Sequence, residues 1–89
     1  MKQRQVAGRF HPGESLREEI KERGLGQVQF VSQCMDVGLN DSHIFEVLRE
    51  ERPINKVLAI GIAEVLGTSV RFWLNLQKAY DEWEPEGGE

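Results

Sequence analysis

Apolar residues recur along this chain at spacings of three and four in five stretches, separated by glycine, proline or small polar residues. That periodicity predicts helices throughout. His11-Pro12-Gly13 breaks the chain, and the first helix then runs over 14–23, with Leu16 and Ile20 on one face, charges on the other and Gly24 as its stop. Gly24-Leu25-Gly26 is a tight connection whose Leu25 anchors into the core. The second helix covers 27–35, with Phe30, Val31, Cys34 and Met35 inward. A polar stretch, 36–42, supplies Gly, Asn, Asp and Ser together and reads as a turn. The third helix starts near Asp41 or Ser42, capped by Asn40, Asp41 or Ser42, and extends to Glu50. Ile44, Val47 and Leu48 face inward; His43, Phe45, Glu46 and Arg49 lie on the outer side.

Arg52-Pro53 forces an extended link, because a residue before proline avoids helical dihedrals. Asn55 caps a fourth helix, 56–66, that packs through Leu58, Ala59, Ile62, Ala63, Val65 and Leu66. Gly61 inside it costs about 1 kcal/mol against alanine, which predicts the close approach of another helix. Gly67 ends that helix in the left-handed region, and Thr68 or Ser69 caps the fifth. The fifth helix carries Phe72, Trp73, Leu76, Ala79, Tyr80 and Trp83, a stripe read as packing that closes the core.

Five short helices with brief links predict an all-α domain over 11–83. Helices two and three, joined by a polar turn, have the outline of a helix-turn-helix. Residues 1–10 lack periodicity and read as a flexible basic arm; the acidic Gly/Pro segment 84–89 is expected to be disordered.

Composition narrows the reading. Eighty-nine residues, 39% apolar and 29% charged, suit one soluble domain. No run approaches the roughly 18 apolar residues of a membrane helix, and the first residues lack the apolar region of a secretory signal. The single cysteine, Cys34, reads as a small buried hydrophobe in a reducing cytoplasm. No paired His, no nucleophile beside a base and no phosphate-cradling loop is visible, so neither a metal, a cofactor nor an enzymatic activity is expected. The net charge of −4 is unevenly spread: Lys2, Arg4 and Arg9 make the N-terminus basic, whereas 68–89 hold two cations against five carboxylates. One end suits a polyanion, the other a basic partner.

Three stretches carry a family resemblance. They are His11-Pro12-Gly13-Glu14 with Leu16-Arg17-Glu18-Glu19 and Gly24-Leu25; Arg52-Pro53-Ile54 with Ala59-Ile60-Gly61-Ile62-Ala63; and Leu66-Gly67-Thr68-Ser69 with Phe72-Trp73-Leu74-Asn75-Leu76-Gln77 and Tyr80-Asp81. Over 11–81 the chain resembles the HigA-type antitoxins, also called the virulence-associated protein I group, of the Cro and phage-repressor class. The resemblance implies a Cro/lambda-repressor-like five-helix fold with its helix-turn-helix at helices two and three. It also implies a homodimer, repression of its own operon through double-stranded DNA, and neutralisation of a RelE-type mRNA-cleaving toxin. A protein-interaction module with weak or lost DNA binding, and a stand-alone repressor, are the alternatives.

Three departures from the family pattern bear on DNA. Gly26 stands where a serine usually caps the second helix. Nine residues lie between Cys34 and Ile44 where about six are usual, which predicts a longer loop into the recognition helix. The usual Asn-Gly-Lys-Arg after that helix is here Arg49-Glu50-Glu51-Arg52, exchanging a glycine and a lysine for carboxylates. Residues 40–52 hold two cations against four carboxylates, which opposes phosphate. Asn40, Ser42, His43 and Glu46 are the candidates for base edges; Gln27, Arg49, Arg52 and Lys56 are the candidates for phosphates. For a protein partner, the analogy favours the arm, with Arg4 and Arg9, and the first helix, with Arg17, Glu18 and Lys21. Dimerisation is expected on the fifth helix, through Trp83 and Leu74.

Overall fold

A computed structural model describes residues 9–83. It contains five helices: α1 Pro12–Glu22, α2 Gln27–Asp36, α3 Asp41–Leu48, α4 Lys56–Leu66 and α5 Val70–Glu82. Most of the predicted arm and the whole acidic tail lie outside the described residues. No helix among these is long and apolar enough to cross a membrane.

The caps explain the boundaries. Asn40 Oδ1 accepts from the His43 amide, Asn55 Oδ1 from Leu58 and Ser69 Oγ from Phe72, so three starts are fixed by side chains. Thr68 is left to accept the Trp73 indole N–H at 2.8 Å. Gly67, at φ 71°, ends α4 in the left-handed region. α1 begins two residues earlier than its periodicity predicts. Pro12 fits the first helical turn, where no N–H is required, and His11 caps it by accepting from the Gly13 amide through Nδ1.

α4 packs on α5 and α2, while α1 lies against α3 and α5. Leu16, Phe30, Ile44, Val47, Ile62 and Trp73 form the centre of one core. Gly13 lies so close to α3 that a Cβ there would collide with the Val47 carbonyl oxygen. Gly61 is also closely approached, though by the Leu39 side chain, 2.5 Å from where a Cβ would sit, and not by a helix. Leu39 belongs to the turn between α2 and α3, so Gly61 seats that turn on α4.

Three expectations about faces are corrected. Met35, expected inward, is 52% exposed, because α2 turns its Phe30–Val31–Cys34 edge to the core. On α5 only Trp73 and Gln77 are fully buried; Phe72, Ala79 and Trp83 point outward, and Leu76 is half-buried. Leu74, expected at a dimer surface, is half-buried against the core. Gln77 was not anticipated at all. Its Oε1 accepts the Ile54 amide at 2.8 Å and its Nε2 donates to Asp81, which pins the link before α4 to α5.

Candidate nucleic-acid interface

α2, a four-residue turn and α3 form the helix-turn-helix, spanning 27–48. The additional residues before Ile44 do not make a longer loop: α2 continues to Asp36 and α3 starts at Asp41, leaving only 37–40 between them. Gly38, at φ 94°, turns the chain, and the Leu39 amide donates back to the Cys34 carbonyl at 3.0 Å. The buried Leu39 side chain then fixes the turn. α2 starts on Gly26 with no side-chain cap, as its sequence implies.

The N-terminal end of α3 is the open end. Asn40 and Ser42 are exposed and His43 is half-buried. Asn40 and His43 share a shallow recess of about 320 Å³ with Asn55, the cap of α4, and Val57. Lys56, the residue after Asn55, is exposed. Asn40 spends its carbonyl oxygen on the cap, which leaves its amide donor for a ligand, and donor groups are what an adenine N7 or guanine edge accepts.

The far end of α3 is closed by ion pairs. Arg52 Nε donates to Glu46 Oε1 at 2.7 Å, and Arg49 Nε to Glu51 Oε1 at 3.2 Å. The Arg52 hydrogen bond holds the Glu46 carboxyl below the usual carboxylate range. Glu46, a candidate acceptor for cytosine, is therefore already engaged, and so are two of the candidate phosphate cations. α3 stops at Leu48, not at Glu50, because Glu50 adopts φ 65°, a left-handed conformation that costs a non-glycine residue about 1–2 kcal/mol. It occupies the position where the resemblance places glycine.

Arg17 holds this end from α1. Its Nη1 donates to the Leu48 carbonyl at 2.6 Å and its Nη2 to Glu50 Oε2 at 2.8 Å. The guanidinium thereby satisfies a carbonyl that the end of a helix leaves without a partner. Arg17 also borders an open groove of about 510 Å³ with Glu18, Lys21 and Gln27. Three of the expected partner residues thus meet on one surface, together with Gln27 from the expected DNA set. Arg9 does not join them. Its Nε donates to the Tyr80 carbonyl at 2.9 Å and its guanidinium lies 3.9 Å over the Tyr80 ring. Arg4 lies outside the described residues.

His11 connects these parts. Its ring meets Tyr80 edge-on at 5.0 Å, and it shares a recess with Glu50, Arg52 and Gln77. Burial lowers its pKa and keeps it neutral, as a cap that accepts through Nδ1 requires. No sequence rule for caps includes histidine, so this role was not anticipated. Cys34 is buried, with its thiol pushed up to about 12 by burial, and is inert in this setting.

No protein-family model matches the chain. It is 39% identical over 73 residues to virulence-associated protein I of Dichelobacter nodosus, covering 81% of this chain and 65% of that protein. The chain therefore spans a little under two thirds of that relative's length. Among solved structures it is similar to a HigA-family addiction module antidote protein of Coxiella burnetii, with a TM-score of 0.72 at 32% identity over 82% of this chain and 77% of that one. It is also similar to a Pseudomonas aeruginosa protein solved in complex with its 18-bp operator DNA, with a TM-score of 0.72 at 30% identity over 81% of this chain and 75% of that one. The shared fold and these identities agree: the chain belongs to the HigA family of antidote proteins, the virulence-associated protein I group.

Proposed function

We propose that the chain is a HigA-type antitoxin that represses its own operon as a homodimer and neutralises a RelE-type RNA-cleaving toxin. The observation that carries the DNA half is the open N-terminal end of α3, where Asn40 and Ser42 are exposed and Asn40 and half-buried His43 line a recess with Asn55. A neighbour of the same fold was solved in complex with its operator DNA, which supports a DNA-binding reading of the fold. In this reading the two recognition helices of the dimer sit about 34 Å apart in successive major grooves. Asn40, Ser42 and His43 meet base edges, while Gln27, Lys56, Arg49 and Arg52 meet phosphates. The toxin half rests on charge. A net charge of −4 complements a basic RNA-binding enzyme; the groove of Arg17, Glu18 and Lys21, itself two cations against one carboxylate, is taken as the docking surface from the family analogy and not from charge.

A fluorescence anisotropy titration with promoter DNA at two salt concentrations tests repression. Specific binding that weakens steeply with salt is expected; no preference over unrelated DNA even at low salt overturns it. A neighbouring small basic reading frame that encodes a toxin is expected, and co-expression with its product tests the antitoxin role. Growth rescue is expected; finding no such frame, or no rescue, overturns the antitoxin role.

The ion pairs support a second reading, a protein-interaction module with reduced DNA binding. Glu46 holds Arg52 and Glu51 holds Arg49, so cations are withheld from phosphate. If that is the limitation, Glu46→Gln frees Arg52, tightens binding and steepens the salt dependence by about one released counterion. An unchanged slope shows that the pairing does not limit DNA binding.

A further inference from the structure

The recess between the starts of α3 and α4 is lined by more than the base-edge candidates. Leu39 of the turn and Leu58 of α4 are buried in it, and Val57 stands beside them 66% exposed. Asn40 and Asn55 line the same recess, and each commits its side-chain oxygen to a cap. Asn40 accepts from the His43 amide and Asn55 from the Leu58 amide. The oxygen must face the amide it accepts from, so in both residues the NH2 group is the end left over. Two N–H donors thus border one apolar hollow.

We propose that this recess reads thymine, Val57 packing on the C5-methyl while the asparagine NH2 groups donate to O4; the proposal rests on the DNA-binding reading above and names the base. In the major groove only thymine sets an acceptor beside a methyl group. Guanine offers acceptors with no methyl, and adenine sets a donor next to its acceptor. Cytosine presents an NH2 that would meet the asparagine donors head-on. An apolar hollow flanked by donors alone therefore selects one base edge of the four.

The fold makes little use of Val57. It is the second residue of α4, it is largely exposed, and valine is a poorer helix former than alanine. Its branched side chain is stiff at χ1 in a helix, so it offers a fixed wall to whatever enters the recess. The preceding Lys56 is exposed, a cation one residue away for the phosphates that carry the base. Neither Val57 nor Asn55 belongs to the helix-turn-helix. Sequence selection is thereby shared between the recognition helix and the start of the next one.

Fluorescence anisotropy on the full chain decides the matter, with its promoter duplex made in two forms, one natural and one carrying deoxyuridine for thymidine. Uracil pairs alike and keeps O4 but lacks the methyl. Wild type is expected to bind the deoxyuridine duplex about 15-fold more weakly, about fourfold for the methyl held in each of two half-sites. Val57→Ala is expected to bind the natural duplex more weakly and to discriminate the two forms by no more than about fourfold. Its thermal melt should stay unchanged, which separates lost contact from lost fold. Ile60→Ala, an exposed apolar residue of α4 outside the recess, is expected to keep the wild-type ratio. A Val57→Ala protein that keeps the full ratio, or an Ile60→Ala protein that loses it, overturns the proposal and leaves DNA binding standing. So does a wild type that binds both duplexes equally well. A wild type that binds neither duplex overturns the DNA-binding reading and the proposal together.

Discussion

α4 and α3 both end on a left-handed residue, and they reach it by different chemistry. Beyond α4 the residue is Gly67, at φ 71°, with open space where a Cβ would point. Beyond α3 it is Glu50, at φ 65°. Glycine takes this conformation at no steric cost, so the end of α4 needs no help from elsewhere. Glu50 pays about 1–2 kcal/mol for it. Its carboxylate and the preceding Leu48 carbonyl are both gripped by Arg17 of α1. One terminus is settled locally; the other, on the helix proposed to read DNA, is settled by a helix 31 residues away in sequence.

The contrast can be broken at several points. Arg17→Ala has the largest expected effect, about 2 kcal/mol lost in urea unfolding, because it strands the Leu48 carbonyl and releases Glu50 together. Arg17→Lys recovers only part of this, since an ammonium cannot serve both acceptors in the same plane. Gly67→Ala should cost about 1 kcal/mol, a conformational effect with no clash in it. Glu50→Gly should raise stability by about 0.5 kcal/mol, as relieved strain exceeds a half-exposed ion pair. With Arg17 already removed, the same change should gain more, and equal gains in the two backgrounds break the coupling. Gly26→Ser is the smallest, a gain of a few tenths of a kcal/mol from a side-chain cap that α2 lacks and has room for. Thermal melts resolve it, and a loss shows that Gly26 serves something other than helix initiation.

Local signals in the sequence carried most of the scaffold. Asn40, Asn55 and Ser69 each cap within three residues, and a cap needs no knowledge of the fold. His11 was missed as a cap because an imidazole accepts through Nδ1 only when neutral with its proton on Nε2; burial favours the neutral form, and the Gly13 amide meets Nδ1. Periodicity assigned helices but not which edge of each faces inward. Met35 and Phe72 keep helical spacing with buried neighbours yet lie outside, since the stripe's centre is set by the neighbouring helices. The site was legible as a segment and not as an arrangement. A count of charges over 40–52 predicts repulsion toward phosphate, but which cation each carboxylate takes depends on the turn at Glu50. That turn brings Arg52 to Glu46 and Arg49 to Glu51. Gln77 is the plainest omission. A polar residue in an apolar stripe gives no sign that it answers a backbone amide 23 residues away.

Gly13 gives the helix-turn-helix its mechanical character. With hydrogen in place of a Cβ, α1 rests directly on the backbone of α3 at Val47. Two backbones in contact leave no side chain to re-rotamer between them, so α3 cannot slide or tilt to suit a ligand without carrying α1 along. Whatever the helix reads, it reads as a preset die. The entropy of shaping it is spent during folding and does not have to be spent again on binding.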